Sequence, residues 1–193
     1  MASDSMKQIP SISLRELKAN NRETIESLAS ACQYWGFFRL VDLDLKKRTT
    51  DQLLATMKVF FDLPHEEKRQ LSRTEKNPWG YFDQELTKNK QDWKEIFDLG
   101  LDQAPSHNHS QTPWPSRLQG FRETMVQWHQ LCETISLTLL ESIVQSLKLP
   151  TSSLTQHFTK GNSSFLRLNH YPVCKAPADP TEDFPTEGHL GIY

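Results

Sequence analysis

The stretch LQGFRETMVQWHQLCETISLTLLESIVQSLKL, residues 118–149, decides the fold. Leu118, Phe121, Met125, Trp128, Cys132, Ile135, Leu139 and Ile143 recur at spacings of three and four, which lays them along one side of a helix. Neither Gly nor Pro interrupts Phe121 to Leu149, so the pattern predicts one long helix over about 118–148 with a single apolar stripe. Met125 and Trp128 lie on that stripe and read as core. Such a stripe must be buried against something, most simply a sheet.

Candidate strands for that sheet lie on both sides. Downstream, Ser164-Phe165-Leu166-Arg167-Leu168-Asn169-His170-Tyr171 alternates in the manner of a strand that faces a core on one side and a cleft on the other. Before it, Thr151 or Ser152 can cap a short helix through His157. After it, Pro172 to Glu187 holds four prolines and four acidic residues, a loop by composition, and Gly188 to Tyr193 starts like another strand. Upstream, Tyr81-Phe82 and Ile96-Phe97-Asp98-Leu99 read as short strands, and residues 102–116 as a loop. Nearer the N-terminus, Ile12 to Leu14 reads as an edge strand. A helix capped by Asn20 or Asn21 sets Ile25, Leu28, Ala29 and Cys32 on one face at helical spacing and ends at Gly36. Gly36 to Val41 reads as a largely buried strand. A second amphipathic helix over about Lys46–Phe61 turns Leu53, Leu54, Met57 and Phe60 or Phe61 inward, and Pro64 with Glu66 and Glu67 opens a further short helix. About five short strands in all cannot close a sheet without leaving edges exposed.

The 193 residues suffice for one domain. With 24 acidic against 22 basic side chains the formal net charge is -2, which gives no general pull toward nucleic acid or an anionic membrane. No stretch approaches the roughly 20 apolar residues of a membrane span. Cys32, Cys132 and Cys174 lie far apart and form no CxxC pair, which suggests free thiols and a cytoplasmic location.

Several segments, in this order, resemble one family. They are Ala31-Cys32 with Gly36-Phe37-Phe38 and Leu40; Phe60-Phe61-Asp62-Leu63-Pro64-His65-Glu66-Glu67-Lys68; Gly80-Tyr81 and Asp92-Trp93-Lys94-Glu95-Ile96-Phe97; Trp114-Pro115 with Phe121-Arg122; and Arg167-Leu168-Asn169-His170-Tyr171-Pro172. Together they are similar to the 2-oxoglutarate/Fe(II)-dependent oxygenases that include isopenicillin N synthase. One departure is Asp42-Leu43-Asp44, where many members read Asn-His-Gly, which leaves the local turn open. The resemblance implies an α+β fold, an N-terminal helical layer plus an incomplete double-stranded β-helix (jelly-roll) core backed by one long helix. It divides the chain into an N-terminal region at 1–117 and the start of the oxygenase core at 118–193. It also implies Fe(II) and 2-oxoglutarate as cofactors and hydroxylation or desaturation of a small-molecule substrate.

By the same resemblance, Asn169 and Tyr171 are cofactor-binding residues that hydrogen-bond the 2-oxo acid. Residues two apart on a strand share a face, so both can reach one ligand. Arg167 shares that face, with an ion pair as its expected role. The family's iron is held by His-x-Asp and a distal His, a facial triad, and an Arg-x-Ser pair holds the far carboxylate of 2-oxoglutarate. The resemblance puts His-x-Asp directly after Tyr193, so no residue here is assigned to metal or catalysis, and neither cofactor is expected to bind well to this chain alone. His189 is followed two positions later by Gly191 and reads as a structural histidine. His65-Glu66-Glu67 has His-x-Glu spacing but sits in a helix start, and His107-Asn108-His109 reads as solvated loop. The alternative reading is a non-catalytic scaffold of the same ancestry, self-associating through an exposed strand edge.

Overall fold

A computed structural model of the chain describes residues 8–87, 90–101, 111–158 and 164–173. His107, His109, Cys174, His189 and the Gly188–Tyr193 segment lie outside the described residues. In chain order the elements are β1 (Ser11–Ser13), α1 (Leu14–Lys18), α2 (Arg22–Tyr34), β2 (Arg39–Val41), α3 (Lys47–Phe61), α4 (His65–Arg69), β3 (Gly80–Phe82), β4 (Leu86–Thr87), β5 (Lys90–Gln91), β6 (Glu95–Gly100), α5 (Phe121–Ser146), α6 (Ser152–Thr155) and β7 (Phe165–His170). They form two compact units, each drawn from two parts of the chain.

The first unit takes the described residues of Met1–Thr50 and Gln130–Asn162. β1 and β2 pair in parallel, with Ile12 opposite Leu40. Asn21 caps α2 by accepting from the Thr24 backbone N–H at 3.1 Å, and Glu23 sits in the first turn, where the helix dipole favours it. Gly36 ends the helix at φ +74. α1, absent from the sequence reading, begins where the Ser13 hydroxyl accepts from the Glu16 N–H at 3.3 Å. Ile12, Leu17, Ile25 and Leu28 form the core, with Phe38, Leu40, Leu139 and Ile143 packed against it. The Gly36–Val41 strand is shorter and less buried than its composition predicts: only Arg39–Val41 pairs, and Phe37 is 53% exposed. A two-stranded ribbon has too little area to cover both sides of such a run. Beyond it, Asp42 and Asp44 both adopt left-handed backbone (φ +54 and +53), which short polar side chains tolerate.

The second unit takes Asp51–His129 and the described residues of Ser163–Tyr193. Its sheet has the order β3-β6-β7, antiparallel throughout, with Phe97 opposite Tyr81 on one side and Leu168 on the other. One face of this sheet is the core: Tyr81, Phe97, Leu99 and Leu168 meet Leu53, Phe60 and Phe61 of α3 and Phe121 and Met125 of α5. Phe60 is the hub, 4.8 Å from the Phe97 ring and 5.1 Å from Phe121. Each such ring contributes about 2–3 kcal/mol through burial. The first turns of the long helix therefore back the sheet, as the stripe requires, and Trp128 packs against the same cluster. Leu54 is instead 58% exposed, because it lies one residue, and so about 100°, off the Leu53–Met57–Phe60 line. Gly80, at φ +119, admits no side chain: a Cβ there would stand 2.2 Å from the Leu71 carbonyl oxygen.

Candidate functional site

Strand parity gives the sheet two chemically different faces. The register sets Asp98 opposite Arg167 and Ile96 opposite Asn169 on the face away from the aromatic core. Asn169 is exposed on that face. Tyr171 follows β7 by one residue and is 43% exposed. An amide with two donors and a phenolic hydroxyl with one suit the oxygens of a carboxylate or 2-oxo acid.

Around them runs a ladder of charges. Arg167 grips the buried Asp98 carboxylate with both arms of its fork, Nε to Oδ1 at 2.7 Å and Nη2 to Oδ2 at 2.8 Å. This is the ion-pair role expected for Arg167. Arg73 approaches the same carboxylate at 3.8 Å while its guanidinium lies over the Phe82 ring at 3.4 Å. Glu85 lies 3.8 Å from Arg167 and pairs with Lys94. The Glu85 carboxylate, and to a lesser degree Tyr171 and Asp92, hold the Lys94 ammonium above its ordinary value. The Asp98 pair does the same for Arg167. Sequence reading did not foresee this ladder, although one signal was present: an aspartate inside the apolar run Ile96-Phe97-Asp98-Leu99 needs a cationic partner once buried.

The opposite face carries a second polar group. Lys68, with a side chain only 5% exposed, donates to the Glu95 carboxylate at 2.6 Å and to the Phe61 carbonyl at 2.8 Å. His170 stacks on Phe61 (centroids 4.9 Å apart, 23° between planes) with Nδ1 3.6 Å from the same Glu95 carboxylate. Tyr81 is fully buried, and that burial, reinforced by Glu95 and Asp83, pushes its phenol well above the usual tyrosine value.

His65 and Glu67 turn to different partners. The His65 Nε2 is 2.5 Å from Asp83, and Glu67 pairs with Arg117 at 3.1 Å, so the His-x-Glu spacing does not assemble a metal site. Among the described residues no group of three or more His, Cys, Asp or Glu side chains could hold a metal ion. The described donor set does not fit the family's iron. No described helix is long and apolar enough to cross a membrane.

Residues 9–117 match the family described as non-haem dioxygenase in morphine synthesis, N-terminal. The chain belongs to that family. Among curated relatives of this dioxygenase type, jasmonate-induced oxygenase 4 of Arabidopsis thaliana is 28% identical over 179 residues, covering 91% of this chain and 50% of that protein. Proline hydroxylase buaE of Petromyces alliaceus is 32% identical over 170 residues, covering 83% of this chain and 53% of that protein. The crystal structure of a 2OG-Fe(II) oxygenase family protein from Caulobacter crescentus superposes with a TM-score of 0.75 at 24% identity, covering 89% of this chain and 58% of that one. The chain thus spans about half the length of the curated relatives it matches. It has the fold of the N-terminal part of these oxygenases: helices followed by an incomplete double-stranded β-helix, as the motifs imply.

Proposed function

We propose that this chain is the N-terminal portion of an Fe(II)/2-oxoglutarate-dependent dioxygenase that hydroxylates or desaturates a small organic molecule. The family match over residues 9–117 carries the reading, and its end at Arg117 supports the division into an N-terminal region at 1–117 and the start of the oxygenase core at 118–193. The geometry supports a specific share of the work. Asn169 and Tyr171, presented on the non-core face of the sheet, hold the 2-oxo acid by donating to its carboxylate oxygens, while the aromatic face keeps the strand rigid. The iron would act as the redox centre for oxygen, and its ligands are not among the described residues, so no step is assigned to it. The free thiols Cys32 and Cys132 support a cytoplasmic location.

The test is intact mass and C-terminal peptide mapping of the protein from its own source, followed by 2-oxoglutarate decarboxylation with Fe(II). A polypeptide continuing past Tyr193 into His-x-Asp, with chelator-sensitive turnover, is the expected result. A terminus at Tyr193 would refute it. The 193-residue chain by itself is expected to show no Fe(II)-dependent decarboxylation.

One observation favours a second reading, a non-catalytic scaffold that self-associates: β7 is an outer strand of its sheet among the described residues, with one row of backbone groups unpaired there. A monodisperse monomer in sedimentation equilibrium would remove this version.

A further inference from the structure

We infer that Arg167 and His170 are positioning residues, a two-sided clamp on β7 that fixes the direction in which Asn169 and Tyr171 point. The inference rests on the ligand role proposed above for that pair. β7 hydrogen-bonds only to β6 among the described residues, so its ladder alone restrains it from one side. A slip of one residue would exchange its two faces and turn Asn169 into the phenylalanine cluster.

Two contacts oppose such a slip, one on each face: the Arg167 fork, which ends on the central strand, and the His170 ring, which ends on Phe61 of α3. On the ligand face the Arg167 fork holds Asp98 by two bonds of 2.7 and 2.8 Å, a planar bidentate contact that fixes rotation as well as distance. On the core face His170 stacks on Phe61, with its Nδ1 3.6 Å from a Glu95 carboxylate that Lys68 itself holds at 2.6 Å. Asn169 lies between the two ties in sequence. Asp98 and Glu95 are three residues apart on β6, whose middle residues are paired on both sides. The clamp thus anchors the outer strand to the central strand on one face and to α3 on the other, at the place where the ligand groups are displayed.

The test uses the full 193-residue chain, with 2-oxoglutarate binding followed by NMR titration and amide hydrogen exchange measured along β7. Arg167→Met leaves the buried Asp98 carboxylate with only Arg73, 3.8 Å away, so the neutral double variant Asp98→Asn with Arg167→Gln is made beside it to keep the chain folded. His170→Ala removes the stack on Phe61. In the double variant and in His170→Ala, exchange at Asn169 and at residue 170 is expected to quicken at least tenfold relative to Phe97. Because 2-oxoglutarate is expected to bind this chain only weakly, exchange is the deciding readout, and the 2-oxoglutarate-induced shifts at Asn169 should shrink beside it. Unchanged exchange at Asn169 overturns the clamp whatever the ligand does. A lower melting temperature with the 2-oxoglutarate-induced shifts retained makes the ties stabilising contacts only and also overturns it. Asn169→Ala, expected to weaken binding with exchange unchanged, reports on the ligand role separately: if it binds normally, the ligand reading fails while exchange still decides the clamp.

Discussion

Replacing Lys68 with methionine should destabilise the second unit by several kcal/mol, far more than removal of an exposed lysine. The ammonium is 5% exposed and makes two contacts, 2.6 Å to Glu95 and 2.8 Å to the Phe61 carbonyl, and it lies 5.5 Å above the Tyr81 ring. Methionine keeps most of the aliphatic stem, so the loss reports the charge rather than packing. Breaking a buried pair from one side costs about 3–5 kcal/mol, because the remaining charge stays buried without its partner. Glu95 retains 17% exposure and can draw in water, which favours the lower end of that range. For a chain of this size such a loss lowers the melting temperature by roughly 6–20 °C. Urea unfolding at pH 7, followed by far-UV circular dichroism, measures it. Adding Glu95→Leu to Lys68→Met should recover most of the loss, since removing both charges leaves nothing uncompensated. If the single variant unfolds within about 1 kcal/mol of the parent, or the double is as weak as the single, the reasoning about this buried pair is wrong.

Further expectations are as direct. Tyr81 holds its proton in the folded state above the ordinary tyrosine value through burial first and Glu95 second, so its contribution is complete below about pH 10 and is lost as pH rises beyond it. Unfolding free energy should fall by about 1.4 kcal/mol per pH unit above about pH 10, with Lys94 adding to the slope in the same direction, and Tyr81→Phe should flatten it. Gly80→Ala puts a Cβ 2.2 Å from a backbone oxygen at φ +119, so it should cost about 3 kcal/mol or prevent folding, read by soluble yield and denaturant midpoint. Asn169→Ala touches an exposed residue and should leave stability within about 0.5 kcal/mol, so any loss of 2-oxoglutarate binding in a titration belongs to the side chain.

The long helix and the two main strands were legible in the sequence because periodicity survives without tertiary help: Phe121 and Met125 are buried where the stripe puts them, and Asn169 and Arg167 share a face by parity alone. Charge partners were not legible. Asp98 and Arg167 meet through an antiparallel register between β6 and β7 that no local pattern encodes, and Lys68 is buried although its HEEKR helix reads as solvated. Leu54 and Phe37 failed as core for a related reason, since hydrophobicity indicates a preference for burial but neighbouring elements decide whether there is anything to be buried against. The turn that the Asp42-Leu43-Asp44 departure left open has positive φ at both aspartates, which short polar side chains tolerate.

The order of the sheet also sets a schedule for synthesis. β6 is its central strand, yet the partner that completes it, β7, pairs Gly100 with Phe165 across the whole of α5. A ribosome adding about 5–20 residues per second leaves β6 with an open edge for several seconds before β7 emerges. During that interval α3 and the first turns of α5 can already cover the aromatic face, whereas the backbone edge waits. The buried aspartate at its middle, a poor neighbour for any apolar strand that is not bringing an arginine, makes incorrect partners costly until the right one arrives.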